Sequence, residues 1–172
     1  MRERKRWPFD NYILNRTSKI VHLQMSIPEL IPVKRKKDDF THFVGHTKEG
    51  LQFFGYEAYV FPNGVPSLDW KKHRKEYVVL FIFDDKGNLI KTKHHYAGTS
   101  FETSEVITRK KLEQMVDELG KVTYRSIDVK PFKSVIDGFT FGLIINREDQ
   151  TVDLEPSSIL SFGDPWDGDY DN

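Results

Sequence analysis

Cysteine is absent from the 172 residues. That excludes disulfides, thiolate zinc sites, iron–sulfur clusters and cysteine nucleophiles together. No apolar run approaches the ~20 residues that cross a bilayer as a helix. Arg2, Arg4, Lys5 and Arg6 open the chain, but no uninterrupted apolar stretch or small-residue cleavage site follows, so no secretory leader is expected. Standard catalytic signatures are missing too: no G-x-S-x-G elbow, no G-x-x-x-x-G-K-[ST] phosphate loop, no G-x-G-x-x-G opening a helix, no H-E-x-x-H. Nor is there an RNP-type strand, a zinc finger or a helix-turn-helix pair. No Gly/Ser-rich or Pro-rich linker and no internal repeat divides the sequence. The reading is one domain over residues 1–172, cytoplasmic, with a real core of its own.

Net charge is also lacking, with 26 Lys+Arg against 26 Asp+Glu, but the zero conceals a sorting. Residues 1–100 hold 18 basic and 11 acidic side chains, whereas residues 101–172 hold 8 and 15. From Ser134 onward only Arg147 opposes nine acids. Opposite charges from the two ends can therefore meet within the fold, or one end can present a charged docking surface.

What the chain does contain is strand pattern. Tyr77 to Phe83 runs without a polar break, which predicts a central strand covered on both faces over Glu76–Phe83. Asp84 to Asn88 turns the chain, and Leu89–Tyr96 returns it as a hairpin. Phe139–Asn146 and Thr151–Glu155 form a second hairpin through Arg147–Gln150, with Val152 and Leu154 alternating against Asp153 and Glu155. Gln52–Phe61 is an aromatic-rich strand, and Lys121–Val129, Ile159–Phe162 and Tyr12–Leu23 are weaker ones. Irregular chain is expected at Met1–Pro8, Pro32–Asp39, Phe61–Asp69 and from Gly163 to Asn172. One helix stands out over Thr108–Gly120, with Thr108 as its cap, an apolar stripe at Leu112, Met115, Val116 and Leu119, and Gly120 as its stop. The fold class is α+β: an antiparallel or mixed sheet of about five to seven strands built from hairpins, with that helix packed on it.

Candidate site residues are few. His42 and His46 are spaced for a metal only on a helix, which Gly45 and Gly50 oppose, and adjacent His94 and His95 point to opposite faces of a strand. Asp167, Asp169 and Asp171 imitate the start of a calcium loop that the sequence does not complete. No metal and no cofactor is expected. Glu57, Glu102 and Asp137 adjoin apolar segments and are the carboxylates from which acid–base chemistry could be assembled. Three basic clusters, Arg2–Arg6 beside Trp7, Lys34–Lys37, and Lys71–Lys75 after Trp70, suit solvated loops better than nucleic acid. Arg109, Lys110 and Lys111 fall in the expected first helical turn, where cations beside free amides form a weak anion site.

The terminal segment is the most unusual. Trp166 and Tyr170 stand among Asp164, Asp167, Asp169 and Asp171, a pairing of aromatic anchors with a carboxylate rim that suits a basic protein partner. The function this predicts is a non-enzymatic interaction module that docks through its acidic, aromatic C-terminal surface. Small toxin-neutralising immunity proteins of bacteria fit that description by analogy of class. The alternative is an enzyme, or a small-ligand or nucleic-acid binder, with a site assembled from distant residues.

Overall fold

The apolar run around Val78 organises the fold. A computed structural model of the chain describes residues 26–37, 40–64 and 66–171. In chain order the elements are β1 (Ile31–Val33), β2 (Phe43–Thr47), β3 (Gln52–Val60), α1 (Trp70–His73), β4 (Lys75–Phe83), β5 (Leu89–Thr99), α2 (Glu105–Asp117), β6 (Val122–Tyr124), β7 (Ile127–Val129), β8 (Phe132–Ile136), β9 (Phe139–Asn146), β10 (Thr151–Glu155) and β11 (Ser161–Phe162). The basic segment 1–8 and the strand expected at Tyr12–Leu23 lie outside the described residues.

The strands do not form one sheet of five to seven members. They divide into a five-stranded sheet ordered β5-β4-β3-β2-β6, a four-stranded sheet ordered β11-β10-β9-β8, and the pair β1-β7, all antiparallel. The described chain is mostly strand with few helices. The stretch Lys121–Val129 is two strands rather than one, since β6 pairs with β2 while β7 pairs with β1. The basic run expected to be irregular from Pro32 begins inside β1.

β4 is central because its two faces meet different neighbours. Tyr77, Val79, Phe81 and Phe83 join a large core with Phe132, Ile136, Phe141, Leu143, Val152 and Leu154 of the four-stranded sheet. Rings close that interface, with Phe81 and Phe132 at 4.5 Å, Phe83 and Phe132 at 4.9 Å, and Tyr77 and Phe141 at 5.3 Å between centroids. Val78 and Leu80, on the opposite face, form a smaller cluster with Phe43, Phe53, Leu112, Met115 and Val116. Alternation along a strand supplies both sets.

Polar groups inside this core are satisfied locally. The buried Tyr56 hydroxyl donates to the Glu155 carbonyl at 2.6 Å, and burial pushes its pKa well up. Tyr77 donates to the Asp137 carboxylate at 3.0 Å, and burial followed by that bond raises the Tyr77 pKa. Gln52 is the hub: its amide nitrogen donates to the Asp84 and Asp128 carbonyls at 3.2 and 2.9 Å, and its oxygen accepts from the Asp128 amide at 2.9 Å. Gln52→Leu keeps the shape and strands the Asp128 amide and carbonyl, while the Asp84 carbonyl retains the Gly87 amide. An unmatched buried group costs roughly 1–3 kcal/mol. Because partial hydration relieves some of that, a loss of about 2 kcal/mol in urea unfolding is expected, and a loss below about 0.5 kcal/mol would show that water reaches these groups freely.

Candidate functional site

The outer face of β3 changes character along its length, and the site begins where it changes. Opposed residues of an antiparallel pair share a face. Leu80 opposes Gly55, Val78 opposes Glu57, and Glu76 opposes Tyr59. The apolar positions Phe43, Phe53, Val78 and Leu80 meet the apolar face of α2, whereas Glu57, at the start of that helix, and Tyr59 and Glu76 line a cleft of about 850 Å³. The walls are α1 with Arg74, the start of α2, and Lys37, Phe40, His42 and Phe43.

The charges on the cleft floor are matched within the chain. Glu57 accepts the Thr108 hydroxyl at 2.8 Å and pairs with Arg109 at 2.9 Å. Glu76 pairs with Arg74 at 2.8 Å and meets the Ser100 hydroxyl in a short hydrogen bond. Arg74 also donates to Ser100 at 2.7 Å, and its guanidinium lies 4.5 Å from the Tyr59 ring centre and 4.6 Å from that of Trp70. Such a planar cation between two rings fixes the wall made by α1. On the segments that carry the cleft walls, near lining residues in sequence, Leu68 is fully exposed, and Phe101, Val106 and Ile107 are mostly so. Phe101 is held beside α1 by its amide, which donates to the Lys71 carbonyl at 2.9 Å.

Arg109, Lys110 and Lys111 do not occupy a first turn. α2 begins at Glu105 with Ser104 at its cap, one turn before the expected start. Thr108 is buried, and its hydroxyl serves Glu57 and the carbonyls of Glu105 and Ser104 instead of capping. The three cations therefore lie a turn beyond the free amides. Arg109 is paired with Glu57, Lys111 donates to Gln114 at 3.2 Å, and Lys110 is exposed.

The terminal segment folds back on its own molecule. Trp166 and Tyr170 pack against the large core, and the Tyr170 ring lies 5.6 Å from that of Phe162. Asp171 exchanges backbone hydrogen bonds with Ser161 at 2.9 and 3.0 Å. Asp169 pairs with Lys34 at 2.8 Å and Lys36 at 3.5 Å, and Asp167 with Lys34 at 3.4 Å. The bond to Lys34 lowers the Asp169 pKa, and the same bond raises that of Lys34. The side chains of Asp164, Asp167, Asp169 and Asp171 remain exposed.

The other residues singled out from sequence have separate partners. His46 accepts from Arg125 at 2.9 Å, and burial lowers its pKa, helped by that guanidinium. His42 bonds to the Lys37 carbonyl. His94 opposes Val79 and His95 opposes Val78, so they take opposite faces. Glu102 accepts from the Thr99 amide at 2.8 Å and from its hydroxyl at 3.0 Å. Among the described residues no three His, Asp or Glu side chains converge as metal ligands, and no helix is long and apolar enough to cross a membrane. No protein-family model matches the chain, and comparisons with curated proteins and with solved structures returned no significant match.

Sequence reading singled out Glu57 and Arg109 separately but missed that they meet. It also missed Tyr59, Arg74, Glu76 and Ser100 as one assembly. The signal that was available is the interruption of an apolar outer face at Glu57, Tyr59 and Glu76.

Proposed function

We propose that this protein is a non-enzymatic interaction module whose partner, another protein, seats in the cleft above Glu57 and Glu76. One observation carries the reading: the floor carboxylates already accept from Thr108, Arg109, Arg74 and Ser100, while large apolar side chains stand exposed on the segments that carry the cleft walls. A general acid or base needs a carboxylate within reach of a substrate proton. Carboxylates engaged in this way instead shape a floor, and exposed apolar side chains beside it favour protein contact. At the rim, Lys37 and Lys71 have no ion-pair partner among the described residues. Acidic and apolar side chains on the partner would complement them. A second reading keeps docking at the C-terminal segment, against a basic partner of the immunity-protein type, because its four aspartates stay exposed.

Capture from the source cell's lysate, followed by calorimetric titration of the purified partner, separates the two. Phe101→Asp and Leu68→Asp change exposed side chains and are expected to leave the fold intact. Removing an interface anchor costs about 2 kcal/mol or more, so affinity should fall roughly thirtyfold or further. Asp164→Asn with Asp171→Asn should leave it unchanged. The opposite pattern moves docking to the terminal segment, and full affinity in all three variants removes both readings.

A further inference from the structure

Residues 34–36 and Thr41 flank a wall of the cleft, and the C-terminal segment grips them. The Lys34 amide donates to the Gly168 carbonyl at 3.1 Å. Lys34 and Lys36 carry the ion pairs to Asp167 and Asp169. The Lys36 ammonium sits 3.9 Å from the Tyr170 ring centre, and the Tyr170 and Thr41 hydroxyls are 3.3 Å apart. Thr41 in turn accepts from the Lys36 amide at 3.2 Å. Immediately beyond it, His42 and Phe43 line the cleft, as do Lys37 and Phe40, which lie between the gripped residues in sequence.

From this we infer that residues 163–171 act as an ionic strap that sets the position of the cleft wall, so that loosening the strap loosens the wall. The inference concerns the molecule's own conformation and does not depend on what the cleft binds. Three features make the strap releasable. Its ion pairs are about half exposed, and exposed pairs are individually weak and screened by salt. The aspartates reach lysines far away in sequence, so their release removes the ionic part of the hold on residues 34–36. The apolar anchors Trp166 and Tyr170 hold the strap near its seat when the pairs open.

Hydrogen exchange measured by mass spectrometry on the full chain tests this without a partner. In Asp167→Asn with Asp169→Asn, peptides covering residues 34–43 should exchange about fivefold to tenfold faster, while peptides of β4 keep their protection. Adding 0.5 M sodium chloride to the wild type should reproduce most of that acceleration and should have little further effect on the double variant. Gly168→Ala reaches the same state without changing charge, because an added Cβ would lie 2.9 Å from Lys34 Cγ and 3.1 Å from its backbone nitrogen. Faster exchange in 163–171 with unchanged exchange in 34–43 would overturn the coupling. Acceleration spread equally over β4 would show a loss of global stability in place of a strap.

Discussion

Gly142→Ala is expected to destabilise the protein by about 4 kcal/mol, a large part of the roughly 5–15 kcal/mol by which domains are stable. Two independent terms set the figure. Gly142 has φ +132°, a conformation essentially reserved for glycine, and a side chain forced there costs roughly 1–3 kcal/mol. An added Cβ would also stand 2.3 Å from the Phe132 carbonyl oxygen and 3.0 Å from its carbon. Relieving such an overlap costs about 1–3 kcal/mol where neighbours can shift. Here they are held from both sides, since Gly142 opposes Lys133 of β8 and Glu155 of β10. The Glu155 carbonyl is in addition tied to Tyr56 of the other sheet. Gly138→Ala supplies the control, with φ +85° and nothing within 4 Å of its added Cβ. Urea unfolding should place the Gly138 variant within about 1–2 kcal/mol of wild type and the Gly142 variant well below it. Equal losses would refute the steric part of the account.

The parts of this fold that sequence displays are those decided locally. The unbroken run from Tyr77 to Phe83 signals burial on both faces, and β4 has it. The turns at Asp84–Asn88 and Arg147–Gln150 join strands that do pair. Sheet membership is decided elsewhere. Period-two alternation is the same whether a strand belongs to a five-stranded sheet or a two-stranded one, so nothing within Lys121–Val129 announces that its halves serve different sheets. The helix start illustrates the same limit. Thr108 is a good capping residue by type, but Glu57, fifty-one residues away, takes its hydroxyl, and the helix opens at Glu105.

The candidate site divides in the same way. Composition exposes the sorted charge, and in the structure Lys34 and Lys36 do meet Asp167 and Asp169. Composition also marks Trp166 and Tyr170 as unusual, without revealing that they pack on their own core. The cleft depends on where α2 ends its cover of β3, which follows from tertiary packing and from no single segment. Its clearest trace in sequence is negative: two glutamates placed where the outer face of β3 and β4 would otherwise continue apolar.

Phe81→Ala is expected to be the most damaging of the core truncations, at about 4–5 kcal/mol. Emptying a fully buried Phe site costs roughly 3–5 kcal/mol through lost transfer energy and the cavity left behind, and the upper end applies where the surroundings cannot collapse. Phe81 is fully buried, with ring neighbours on both sheets: Tyr56 at 5.8 Å, Phe83 at 6.5 Å and Phe132 at 4.5 Å. Edge-on and tilted ring pairs add about 0.5–1.5 kcal/mol beyond area burial, and three are lost together. Leu80→Ala, one residue away, removes a side chain from the other face, where the smaller cluster with Leu112, Met115 and Val116 lies. Its direct contacts are with α2 and not with the four-stranded sheet. Unfolding curves and hydrogen exchange should therefore separate neighbouring substitutions. Phe81→Ala lowers protection in both large sheets together, because it opens the layer they share. Leu80→Ala, at roughly 2–4 kcal/mol, exposes α2 first and leaves β8 to β10 protected up to the global transition. If both variants released α2 and the four-stranded sheet in step, the two clusters would be one cooperative core, and the cleft between α1 and α2 could not move independently of the sheets beneath it.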